Sequence, residues 1–160
     1  MINNLFILSR GISNHYTPKN TTAIMRIWET DIEIDNSTLE FKNFTIFNYV
    51  FDDVDSEQIS YPIVGTPNMV TLKGITKEIA DQIKQDFESI MGKVETLIVN
   101  CHAGISRSPA VALALNDVYK LNLLDDDEFR CMGRYSSYNK FVYAKITKIW
   151  DYLKEEDKKN

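Results

Sequence analysis

At 160 residues, 44% of them hydrophobic, the chain is long enough to close one core and short enough to need only one. A formal net charge of −5, from 18 basic and 23 acidic residues, argues against a general nucleic-acid or anionic-membrane binder, since such proteins carry broad basic surfaces. A local basic pocket stays open.

The opening MINNLFILSR holds a four-residue apolar run, too short for the core of a secretion signal, and no stretch approaches the 18 apolar residues of a membrane helix. The expectation is a cytoplasmic protein whose two cysteines are free thiols, with Cys131 semi-buried. Runs rich in β-branched and aromatic residues predict strands at LFIL near Leu5, AIMRIW near Ile24, FTIFNYV near Ile46 and TLIVN ending at Asn100. The last is apolar on consecutive positions, as in a central parallel strand covered on both faces. Between the third and fourth lies FDDVDSEQISYPIVGTPN, whose two prolines, glycine and four acids read as a loop.

In ITKEIADQIKQDFESIMG, Ile79, Ile83, Phe87 and Ile90 share one helical face, with Thr76 as cap and Gly92 as stop. SPAVALALNDVYKL is apolar nearly all round and predicts a buried helix, with Ser108 as its cap and Pro109 at the first helical position. Val142, Ile146, Ile149, Trp150 and Leu153 repeat at helix spacing before a charged tail, which is expected to fray from about residue 155. The order predicts a single α/β domain over 1–160: a central, mainly parallel sheet of four to five strands flanked by helices. Ligands in such sheets bind beyond the carboxyl ends of the strands, which is where Cys101 falls.

The residues there, CHAGISRS, carry a specific chemistry. A tight loop feeding a helix near Ser108 would turn its backbone N–H groups and the positive end of the helix toward one oxyanion. Gly104 can take the positive φ such a loop needs. Arg107 can grip two phosphate oxygens with its planar fork. Cys101, at the base of that positive bowl, sits where a thiolate is favoured and can attack phosphorus to give a phosphocysteine. Ser108 can donate to the sulfur when it leaves.

The stretch CHAGISRS fits the Cys-x5-Arg-Ser signature, and the chain resembles the cysteine-based protein phosphatases, AGISRSPA being especially like their small dual-specificity group. The resemblance runs from about Phe44 to the terminal helix. It implies a phosphatase-like fold and a phosphate loop in which His102, Ala103, Gly104, Ile105, Ser106 and Arg107 bind the substrate. Cys101 would be nucleophile, Arg107 phosphate ligand and Ser108 thiolate partner, with Asn139 packing the loop. Asn100 stands where the family usually has histidine and is expected to hydrogen-bond locally.

The leaving oxygen needs a proton, and the resemblance implies an upstream aspartate as donor. Asp52, Asp53 and Asp55 are candidates, in the preference Asp53, then Asp52. YPIVGTPNM then reads as an insertion relative to small members of the family.

The function implied is hydrolysis of phosphotyrosine, and of phosphoserine or phosphothreonine, in a phosphorylated protein partner, with no nucleic acid or membrane as partner. No cofactor or metal is called for: no His/Cys group has zinc-ligand spacing, and His15 and His102 read as surface or structural residues. One alternative is a weakly active or inactive phospho-binding module of the same fold. Another is a phosphatase of RNA 5′-triphosphates or phosphoinositides, disfavoured because HAGIS offers no basic residue except His102. Rhodanese-like sulfur transfer uses a similar cysteine loop without an upstream acid.

Overall fold

The computed structural model describes residues 1–35 and 44–149. In chain order its elements are β1 (Asn4–Ser9), α1 (Arg10–Asn14), β2 (Thr22–Trp28), β3 (Phe44–Val50), β4 (Gln58–Pro62), β5 (Met69–Lys73), α2 (Lys77–Ile90), β6 (Thr96–Cys101), α3 (Arg107–Val118) and α4 (Lys140–Thr147), with a 3-10 turn at Asp126–Phe129. The central sheet has the order β1-β6-β2-β3, and every pair in it is parallel. The fold is therefore α/β, with a four-stranded parallel sheet flanked by helices. Every residue of β2 and β6 is buried, which explains the consecutive apolar residues Ala23, Ile24 and Met25 and Leu97, Ile98 and Val99.

Register sorts the side chains into two faces. Ile7, Val99 and Met25 align on one, while Phe6, Ile98, Ile24 and Ile46 align on the other. The first face carries the main core, where Leu97 and Val99 pack with Phe87 of α2, Leu115 of α3 and Ile146 of α4. On the second, Ile24 and Ile98 lie under Leu8, Tyr16, Phe44 and Ile46.

Helix α2 follows its pattern. The Thr76 hydroxyl accepts from Ile79 N at 3.3 Å, and Ala80, Ile83, Phe87 and Ile90 form the buried stripe. Gly92, just beyond its end, has φ +88°. Residues Arg107 through Asn116 of α3 are all buried, as an apolar circumference requires. Helix α4 buries Val142, Ala144 and Ile146. Trp150, Leu153 and the tail from residue 155 lie outside the described residues.

Three expectations need correction. The stretch 51–68 is not all loop: β4 pairs antiparallel with β5, Ile59 opposite Leu72 and Tyr61 opposite Val70. Its prolines stay clear of the ladder's middle, Pro62 ending β4 and Pro67 falling in the turn. Helix α3 begins at Arg107 with Ser106 at the cap position, so Pro109 is the third helical residue, where the missing N–H still costs nothing. Ser108 does not cap, because its hydroxyl is engaged with Cys101. Cys131 is exposed, not semi-buried, and both cysteines are free. The five-residue α1, capped by the Ser9 hydroxyl on Ile12 N, is too short to show a period.

No helix among the described residues is long and apolar enough to cross a membrane. The helix-to-sheet core predicts a clear cost for truncation. Phe87→Ala, at a side chain with no exposure, should lower stability by about 3–5 kcal/mol. Urea unfolding should show this as a lower midpoint with an unchanged slope.

Candidate active site

The four parallel strands deliver their carboxyl ends to one place. Ser9 precedes Arg10, Trp28 precedes Glu29, Val50 precedes Phe51, and Cys101 ends β6. Three of these neighbours, Arg10, Glu29 and Phe51, are joined through Arg107, at the start of α3. Its Nη1 donates to Phe51 O at 2.9 Å, and its Nη2 donates to Glu29 Oε1 at 2.5 Å. Glu29 Oε2 accepts from Arg10 Nη2 at 3.1 Å, and the same Nη2 lies 3.1 Å from Ile27 O. The Arg10 guanidinium also stacks on the Trp28 ring, 4.3 Å from its centroid.

Cys101 is 2% exposed, and its sulfur has two neighbours. Gly104 N donates to Sγ at 3.3 Å, and Ser108 Oγ lies 3.2 Å away. The loop turns so sharply at Gly104 that φ is +74°, and a Cβ there would stand 2.7 Å from Ser9 N. Only glycine fits. Among the described residues the amides of Ile105, Ser106, Arg107 and Ser108 donate to no protein acceptor. They stand at the positive end of α3, where no preceding carbonyl of the helix can reach. Arg107 Nε is likewise buried without a hydrogen-bond partner. Four amides and a guanidinium edge are thus available to an oxyanion above a buried sulfur. His102, Ala103 and Ile105 have exposed side chains.

Asn100 lies on the other side of β6 from this bowl. Its side chain is buried and donates from Nδ2 to Ser13 Oγ, which in turn donates to Arg10 O at 3.1 Å. It anchors α1 and has no bond to the sulfur.

The three acids separate cleanly. Asp52 is 5% exposed and saturated: Oδ1 accepts from Thr30 N, and Oδ2 accepts from Thr30 Oγ1 at 2.6 Å and Lys73 N at 2.8 Å. Burial works against its charge, but these donors and nearby Arg107 outweigh it and hold the carboxyl below its ordinary value. Asp52 is a structural pin, which removes it as a candidate acid.

Asp53, the next residue, is exposed and faces the loop. Its Oδ1 accepts from Ser106 Oγ and Asn139 Nδ2, each at 2.8 Å. Asn139 also reaches Val54 O at 3.1 Å, caps α4 through Val142 N, and donates its own N–H to Ser106 O. Asp55 makes no such bond to the loop. The sequence singled out Asn139 only as loop packing. Its second role, holding Asp53, depends on a contact across 86 positions.

Sequence reasoning missed Glu29. Nothing marks it in AIMRIWET beyond its place just after a strand, and its importance comes from the two arginines folded onto it. Among the described residues, no three of the His, Cys, Asp and Glu side chains gather to hold a metal. For Glu29, burial raises the carboxyl's proton affinity, but hydrogen bonds from Arg107 and Arg10 prevail and bring its pKa from 4.5 to about 2. The unfolded chain therefore takes up this proton at higher pH than the folded one, so the stabilisation is complete above about pH 4.5 and disappears as pH falls toward 2. Glu29→Gln should be less stable at neutral pH and should show a Tm that changes less over that acidic range, measured by calorimetry. A scan against protein-family models and searches of curated proteins and of solved structures return no match, so the chemistry of the site rests on its geometry alone.

Proposed function

We propose that the chain is a cysteine-based protein phosphatase that hydrolyses phosphotyrosine, and phosphoserine or phosphothreonine, through a phosphocysteine intermediate. One observation carries this reading: the loop that surrounds the Cys101 sulfur with Gly104 N and Ser108 Oγ also holds Asp53, through Ser106, at its rim. Nucleophile, oxyanion donors and a proton donor then share one loop.

The phosphate oxygens take the amides of Ile105 to Ser108 and the free edge of Arg107, whose other edge stays on Glu29 and Phe51 O. The Cys101 thiolate attacks phosphorus in line with the ester oxygen. As the S–P bond forms and the P–O bond breaks, the leaving oxygen takes a proton from Asp53. Two donors occupy Asp53 Oδ1, so Oδ2 is the oxygen that carries this proton. In the second half, Asp53 Oδ2 takes a proton from water while the water oxygen attacks phosphorus. The S–P electron pair returns to sulfur, where the Ser108 hydroxyl donates to the thiolate.

The surroundings favour a phosphomonoester over a polyanion. Arg10 and Arg107 share the counter-charge of Glu29, and Asp53 and Asp55 stand beside the mouth. An RNA 5′-triphosphate or a phosphoinositide would place extra negative charge against those acids.

Cys101→Ser should abolish turnover of phosphotyrosine and phosphothreonine peptides while peptide binding survives, because the anion donors remain. Wild-type activity in this variant, measured by phosphate release, would exclude the mechanism. Asp53→Asn should slow alkyl and phenyl phosphates by roughly 10²–10⁴-fold and a substrate with a very acidic leaving group much less. Asp52→Asn should act chiefly on stability.

A further inference from the structure

We propose that the apolar face of the β4–β5 hairpin, together with the carboxylate of Asp55, forms a groove for the segment of a protein substrate next to its phosphoresidue, and that it selects aliphatic or aromatic and basic side chains there. The inference rests on the phosphatase reading of the Cys101 loop and specifies its substrate.

The two strands alternate regularly. Ile59 and Tyr61 stand opposite Leu72 and Val70 on one face, while Ser60 faces Thr71 on the other and their hydroxyls meet at 2.8 Å. The hairpin is not part of the central sheet. An isolated two-stranded ribbon is marginal unless its apolar face packs on something, yet Ile59 remains 38% exposed and Tyr61 42% exposed. Its base, by contrast, is firmly rooted. Asp52 exchanges bonds with Lys73, Gly74 N donates to Glu57 O at 2.9 Å, and Lys145 pairs with Glu57 at 2.6 Å. A Cβ on Gly74 would stand 2.0 Å from Ser56 O, so the chains at this base are in close contact.

The face so presented opens on the reaction site. Ile59 and Tyr61 line one groove with Phe141, Asp55, Asp53 and Ser106. The last two belong to the acid-to-loop contact, so a phosphate seated in the bowl brings the neighbouring substrate residues over this groove.

Charge narrows the occupant. Asp55 has no hydrogen-bond or ion-pair partner among the described residues. Lys140 also lines the groove, but its ammonium is taken up by the carbonyls of Ser136 and Tyr138 and lies 3.2 Å from the centre of the Tyr138 ring. The groove therefore sets an unpaired Asp55 carboxylate beside apolar side chains, while the Lys140 charge is held against the Tyr138 ring. It suits a basic side chain beside an aliphatic or aromatic one and repels an acidic neighbour.

The test compares two phosphotyrosine peptides, one with leucine and arginine beside the phosphoresidue and one with glycine and glutamate, against para-nitrophenyl phosphate, which is too small to reach the hairpin. The wild type should prefer the first peptide by about tenfold or more in kcat/KM. Tyr61→Ala should lower that preference with para-nitrophenyl phosphate turnover unchanged, and Asp55→Lys should abolish or reverse it once each peptide rate is divided by that variant's own para-nitrophenyl phosphate rate. Equal use of the two peptides by the wild type, or an undiminished preference in both variants, would overturn the proposal. Calorimetric titration of Cys101→Ser with the same peptides asks the question without turnover. If the wild type hydrolyses nothing, the phosphatase reading falls, and the binding preference in these titrations decides the groove by the same criterion.

Discussion

A buried guanidinium organises this molecule. Arg107 enters at the start of α3 with its side chain only 7% exposed, and a charge so placed is tolerated only if its partners are close and well aimed. Those partners are Glu29, just beyond β2, and Phe51 O, just beyond β3. Glu29 in turn holds Arg10, just beyond β1. Arg107 itself begins α3, at the end of the loop that follows β6. One ion-pair chain thus gathers the carboxyl ends of all four parallel strands, the position at which open α/β sheets bind ligands. Loss of any partner would leave a buried charge exposed to the full desolvation cost, so the same bonds that shape the site also bind the sheet to the helix.

The second organising feature is the division of labour between two adjacent aspartates. At the bend where Val54 N donates to Asp52 O the two side chains leave in different directions, and the consequence is chemical. Asp52 turns inward and joins the end of β5 to Thr30, while Asp53 turns outward to Ser106 and Asn139. The buried acid fixes the backbone from which the exposed acid is presented. Because Asn139 also caps α4 and donates to Ser106 O, the anion loop, the acid loop and the last described helix are held through one side chain and its backbone.

The hairpin follows from the same arrangement. Residues 58–73 leave the acid loop and return to Asp52, forming a ribbon whose base is structural and whose apolar face is left for something else.

Local pattern was sufficient to reveal the four strands of the central sheet, the amphipathic α2, the buried α3, and the loop in which Cys101, Gly104, Arg107 and Ser108 would act together, because each depends on spacing within one segment. Burial on both faces requires an unbroken apolar run, and an anion loop before a helix requires a glycine and donors a few residues apart. The β4–β5 ribbon was obscured by prolines that read as loop, although their positions at its edge and turn leave the ladder intact. The cap of α3 was misassigned because Ser108 has a better partner in the sulfur. Asp52 and Asp53 have the same side chain in adjacent positions, and only the fold buries one among three donors and swings the other to the loop. Glu29 acquires its role only when two arginines from distant segments arrive at it. Spacing along the chain determines which groups can belong to one loop. Which carboxylate is desolvated, paired or left at the mouth depends on neighbours dozens of residues away, and the tertiary structure alone decides it.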